Sequence, residues 1–90
     1  MREKTIEQKL VKYIKSLGGL CPKFESPGMD GMPDRICLLP GGRIIFAELK
    51  APGKKPRALQ SLRMKQLSAL GFHYVVIDDP ERISDAVSAT

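Results

Sequence analysis

The sequence predicts an α/β domain in which a mixed central sheet is flanked by helices, in the order α-β-β-β-α-β-α. Three observations carry that expectation. Two stretches place apolar residues at helical spacing and end in glycine. Two apolar, β-branched runs flank Pro40-Gly41-Gly42, as the arms of a hairpin do. A further strand-like run follows the second helix closely enough to return to the same sheet. The chain has 90 residues, 42% of them hydrophobic and 28% charged, which suits a single ordered domain over 1–90.

The first helix is expected over about residues 3–17. Ile6, Leu10, Ile14 and Leu17 form its apolar stripe, widened by Val11 and Tyr13, and Gly18-Gly19 stops it. A short strand near Leu20 to Glu25 follows, with Pro22 confining it to an edge or a bulge. SPGMDGMP is a turn-rich loop. Arg35 to Leu39 and Arg43 to Lys50 make the hairpin, and Ala51 to Pro56 a basic loop. The second helix is expected over about residues 57–70, with Leu59, Leu62, Met64, Leu67 and Leu70 as its apolar positions and Gly71 as its end. Phe72 to Ile77 is the last strand. Pro80 to Ser88 is a terminal helix capped by Asp78 or Asp79.

No apolar run has the length of a membrane span, and MREKTIEQK lacks a signal-peptide core, so a cytoplasmic protein is expected. Cys21 and Cys37 are too few for a disulfide framework and lack metal-ligand spacing; they are expected to pack as reduced thiols. The net charge of +5 permits a polyanionic partner without requiring one.

The hairpin carries the chemical argument. A three-residue loop at 40–42 sets Leu39 opposite Arg43, and the same register sets Asp34 opposite Glu48. Directly opposed side chains share a face, with Cβ atoms about 4.5–5.5 Å apart. Lys50, two residues on, joins them, and Ile36, Leu38, Ile44 and Phe46 fill the rest of that face. Two carboxylates so close repel unless a cation intervenes, and their oxygens suit Mg²⁺ or Mn²⁺ with water and phosphate completing the shell. Lys50 would then stand beside an attacking water. The competing account is plain: Glu-x-Lys at a strand end is common, and Asp34 with Lys50 makes a surface ion pair as readily. A two-residue turn at 41–42 would also shift the register by one and send Asp34 to the opposite face.

Gly31-Met32-Pro33-Asp34, then Glu48-Leu49-Lys50, then Gln60 opening a helix that ends in Leu70-Gly71, resembles the PD-(D/E)xK nuclease superfamily. Within it, the chain looks like a stand-alone VRR-NUC domain of the phage type, over nearly its whole length from Glu7 to Ile77. The resemblance implies a restriction-endonuclease-like αβββαβ core with a short C-terminal helix added. It implies Asp34 and Glu48 as metal ligands, the Leu49 backbone carbonyl as another, and Lys50 at the attacking water. Glu7 takes the place of the family's first-helix acid, reaching the site directly or through water. Gln60 takes that of a second-helix glutamine, supporting Lys50 or contacting DNA. The implied activity is hydrolysis of phosphodiesters in branched DNA, four-way (Holliday) junctions above all, by a homodimer whose two sites make paired cuts. For a phage-encoded member the compartment would be the host cytoplasm.

Lys23, Arg35, Lys54, Lys55, Arg57 and Arg63 flank the site in sequence and are candidates to hold DNA phosphates, against the alternative of merely solvated charge. Glu25 and Ser26 lie near the loop; Met29 and Met32 are candidates for a dimer interface or simple exposure; His73 has no ligand partner in sequence and is read as structural. Two rival functions stay open. One is a DNA-binding or adaptor module that does not cut, which would not need Asp34, Glu48 and Lys50 all intact. The other is a nuclease acting on flaps or duplex ends.

Overall fold

A computed structural model describes residues 1–89. Helix α1 spans Glu3–Ser16, and its Ile6, Leu10 and Ile14, spaced to fall on one face, are all buried. Strands β1 (Arg35–Leu39) and β2 (Arg43–Leu49) form an antiparallel hairpin around a 3₁₀ turn at Pro40–Gly42. Helix α2 (Ala58–Ala69) returns the chain to β3 (His73–Ile77), which pairs parallel to β2, so the mixed sheet runs β1-β2-β3. A 3₁₀ turn at Pro80–Arg82, capped by Asp79, whose side chain accepts the Glu81 N–H at 2.9 Å, leads into α3 (Ile83–Ser88).

The hairpin has the three-residue loop, with Leu39 opposite Arg43 and Arg35 opposite Ala47. Gly41 and Gly42 both lie at positive φ, which a glycine pair supplies without steric penalty. The alternative two-residue register is therefore excluded.

Two expectations need correction. The stretch Leu20 to Glu25 does not form a strand; it touches β1 through isolated bridges, Leu20 to Leu38 and Lys23 to Arg35. Pro22 has no N–H to give the ladder; the segment is held instead by separate bonds, Leu20 exchanging a pair with Leu38, the Pro22 carbonyl accepting from Ile36 N, and Phe24 N donating to the Asp34 carbonyl. The second correction concerns α2. Its buried residue is Gln60, whereas Leu59, Leu62 and Leu70 are exposed. A helix with leucines nearly all round has no strong preference for one face, and here the polar partner waiting on the sheet decided the orientation.

One core fills the space between the sheet and the helices α1 and α3: Ile6, Leu10 and Ile14 meet Cys37, Leu39, Ile45, Ala47, Leu49, Ile77, Ile83 and Val87. Cys21 and Cys37 are free thiols in mutual contact at 3.8 Å at the margin of this core. That contact, with burial, pushes the Cys37 thiol far above the usual range. No helix among the described residues is long and apolar enough to cross a membrane.

Candidate active site

Strand alternation sends Ile45, Ala47 and Leu49 to the core, so Glu48 and its neighbours Phe46 and Lys50 take the opposite face of the sheet. Glu48 is only 1% exposed. Its Oε2 is held twice, by Gln60 Nε2 donating at 2.8 Å and by Lys50 Nζ at 3.2 Å. Asp34, one residue ahead of β1, closes the site from the hairpin's other arm: its Oδ2 accepts the Leu49 N–H at 2.9 Å. Its own backbone is fixed by the Phe24 N–H, which donates to the Asp34 carbonyl at 2.8 Å. Asp34, Glu48, Lys50 and Gln60 thus meet at one end of the sheet.

Gln60 shows why a glutamine suits its position. Its Oε1 accepts the Arg57 N–H at 2.8 Å, satisfying an orphan donor at the start of α2, while its amide nitrogen donates to Glu48. One side chain therefore ties the helix terminus to the buried carboxylate. Only an amide does both at once.

The electrostatics are those of a carboxylate short of positive charge. Burial, then the charge of Asp34, pushes the Glu48 pKa up to about 7, with Lys50 pulling the other way. Glu48 Oε1 is buried and has no hydrogen-bond partner among the described residues. An orphaned acidic oxygen beside a second carboxylate fits a hard divalent cation, which takes one or two carboxylates and leaves the rest of its shell to water and phosphate. The described residues contain no cluster of three or more His, Cys, Asp or Glu side chains suited to a metal.

Glu7 is engaged by Arg35. Arg35 points to the α1 side of the sheet and its Nε donates to Glu7 Oε2 at 2.8 Å, while its Nη1 donates to the Cys21 carbonyl at 2.8 Å. The pair lines an open cavity of about 510 Å³ with Lys4, Lys12 and Lys23. Of the other basic candidates, Lys23, Lys54, Lys55 and Arg57 are exposed. Arg63 is occupied in holding the loop: its Nε donates to the Asp30 carbonyl at 2.8 Å and its Nη1 to Gln66 Oε1 at 2.9 Å. Gly31 lets that loop approach α2, since a Cβ there would stand 2.7 Å from Leu59 Cγ. His73 is exposed at the start of β3. Glu25 is exposed and Ser26 half-buried, its carbonyl accepting from Met29 N.

Sequence reasoning passed over Tyr74. It stands on β3 opposite Phe46 of β2, hence on the Glu48 face, and its buried hydroxyl has no partner among the described residues. Nothing local marks it, because a parallel register across a helical crossover is invisible in the intervening sequence.

No family model matches the chain. It is 46% identical over 81 residues, covering 90% of this chain and 87% of the relative, to the "Putative nuclease p44" of Acyrthosiphon pisum secondary endosymbiont phage 1. A solved structure described as a VRR_NUC domain superposes with a TM-score of 0.89 at 25% identity, covering 96% of this chain and 94% of that one. A nuclease relative spanning nearly the whole chain, and a matching fold over the same span, place this protein in the VRR-NUC family of nucleases.

Proposed function

We propose that the chain is a divalent-metal-dependent DNA endonuclease of the PD-(D/E)xK type, cutting phosphodiesters in four-way junctions as a homodimer. The observation that carries this reading is the buried Glu48 carboxylate, flanked by Asp34 and Lys50, with one oxygen unpartnered. Asp34 and Glu48 would hold Mg²⁺ or Mn²⁺ together with the Leu49 carbonyl. Such a cation supplies Lewis acidity at the phosphoryl oxygen and lowers the pKa of a bound water. Gln60 fixes the Glu48 carboxylate from behind. Lys50, half-buried at the rim, offers its ammonium to the attacking water and to the phosphate's negative charge. Lys23, Lys54, Lys55 and Arg57 have exposed side chains available to DNA phosphates.

The same sheet face supports the homodimer. Beside the site lie Leu20, Leu38, Ile44 and Phe72, all exposed, around a stack in which Phe46 meets Phe24 at 5.8 Å and Phe72 at 5.6 Å. A second copy covering this strip would remove it from water and set two sites on one side of the assembly, the arrangement paired cuts across a junction require.

Labelled four-way junction, flap and linear duplex, each incubated with Mg²⁺, Mn²⁺ or EDTA, test the proposal together with light scattering. The expected result is paired cuts in the junction with either metal, none in EDTA, and a particle of about twice the 10.0 kDa chain mass. Cutting confined to flaps or ends by a monomer would assign the other nuclease substrate. Junction binding without cutting under every condition would make the chain an adaptor.

A further inference from the structure

Two buried side-chain polar atoms lack a hydrogen-bond partner among the described residues, Glu48 Oε1 and Tyr74 Oη. They share one face of the sheet: β2 and β3 pair Phe46 with Tyr74 and Glu48 with Val76, so Tyr74 lies diagonal to Glu48 across the parallel ladder. Tyr74 is 9% exposed. A buried hydroxyl left unmatched is a net cost, so its presence needs a reason outside packing. Burial, followed by the charges of Glu48 and Asp34, raises the phenol's pKa; the hydroxyl keeps its proton and faces an acidic neighbourhood as a donor.

The acceptor on that face without a hydrogen-bond partner among the described residues is Glu48 Oε1. Gln60 and Lys50 both engage Oε2, and neither holds the other oxygen. We propose that Tyr74 is a positioning residue of the metal centre: its hydroxyl donates through one shared water to Glu48 Oε1 and holds that carboxylate in the orientation that accepts a divalent cation. A carboxylate oxygen has two lone-pair directions, so accepting this hydrogen bond does not exclude binding a cation. Partners of this kind, one step removed from a metal, commonly carry about 10–100-fold in metal affinity. The inference rests on the metal-dependent reading above, and its test separates the two.

Mn²⁺ is titrated calorimetrically into DNA-free wild-type protein, Tyr74→Phe and Glu48→Gln, and each is melted in EDTA. Tyr74→Phe should bind Mn²⁺ at least about 10-fold more weakly while melting in EDTA at the wild-type temperature or above it. A merely structural hydroxyl would do the reverse, lowering the melting temperature and leaving the Mn²⁺ affinity alone, and that result overturns the proposal. If Glu48→Gln loses Mn²⁺ and Tyr74→Phe does not, the metal site stands and Tyr74 has no part in it. If Glu48→Gln binds Mn²⁺ like wild type, the metal-dependent reading fails and the role of Tyr74 fails with it.

Discussion

Toward α1 and α3, the sheet presents Cys37, Leu39, Ile45, Ala47, Leu49 and Ile77, sealed under Ile6, Leu10, Ile14, Ile83 and Val87. Toward α2, the same three strands present Phe46, Glu48 and Tyr74 among exposed Leu38 and Ile44, and the helix above contributes a glutamine to the interior while Leu59 and Leu62 face out. The first face spends its interior positions on apolar burial, with Arg35 at its margin. The second gives up that burial to hold one carboxylate dry, anchored on one oxygen and free on the other. In a 90-residue chain, which has little core to spare, such an arrangement persists at the expense of stability and therefore marks function.

The sharpest break in the comparison comes from the polar face. If the proposed function holds, Asp34→Asn, Glu48→Gln and Lys50→Ala should each lower junction cleavage by at least about 100-fold while leaving junction binding nearly intact, because phosphates are held by many exposed cations and not by carboxylates. Single-turnover cleavage and a filter-binding assay on the same preparations measure the two quantities. Two of the three variants retaining wild-type turnover would remove the site from this face.

The dry face should fail differently. Ile45→Ala removes most of a fully buried side chain and should cost about 2–5 kcal/mol of stability, near the whole margin of a domain this size. Leu62→Ala, on the exposed side of α2, should stay within about 0.5 kcal/mol. Urea denaturation of both variants decides whether the two sides of the molecule differ as their burial says.

Most of the fold was legible because it rests on local signals: the Ile6/Leu10/Ile14 spacing, the glycine stops, and a hairpin whose loop length fixed the register that brings Asp34 to Glu48. Residues that depend on nonlocal geometry were not legible. Pro22 reduced an expected strand to scattered bridges, a matter of ladder hydrogen bonds rather than composition. The leucines of α2 read as a core stripe, and only the partner on Glu48 shows why Gln60 is the residue turned inward. Tyr74 needed the parallel β2–β3 register, and the Arg35 side chain had to be seen passing to the α1 side before its pairing with Glu7 was evident.

The carboxylate itself supplies a prediction in pH. The folded-state pKa of Glu48, about 7, lies above the ordinary 4.5, so between those values the native protein holds a proton that the unfolded chain has lost. This contribution to stability is fully present below about pH 4.5 and is lost as pH rises through about 7. Melting temperatures in EDTA should therefore fall across that window, and the Glu48→Gln variant should lack this component of the decline and be the more stable protein at pH 8. Saturating Mg²⁺ should restore the wild type at pH 8, since a ligand of the native state stabilises it by mass action. A wild type whose stability rises over this interval, with no difference from Glu48→Gln, would mean that the buried carboxylate carries no electrostatic penalty.

The smallest effect expected is at Glu7, and it tests whether the boundary between the faces lies where the sheet puts it. Glu7 and Arg35 form a half-buried ion pair on the α1 side, 22% and 16% exposed, and Arg35 keeps its hydrogen bond to the Cys21 carbonyl whether or not Glu7 is present. Removing the acid by Glu7→Ala should thus cost no more than about 1 kcal/mol, the range of partly solvated pairs. The Mn²⁺ midpoint for cleavage should not move, because the carboxylate that is lost is occupied by Arg35 rather than directed at Glu48. Affinity for junction DNA should rise slightly at low salt, since the cavity beside Lys4, Lys12 and Lys23 gains an uncompensated guanidinium, and the gain should vanish as salt is added. A midpoint shifted to higher Mn²⁺ would instead show Glu7 leaving Arg35 to join Asp34 and Glu48 when the metal binds. The acidic site would then draw on both faces of the sheet, and the division between them would hold only for the metal-free protein.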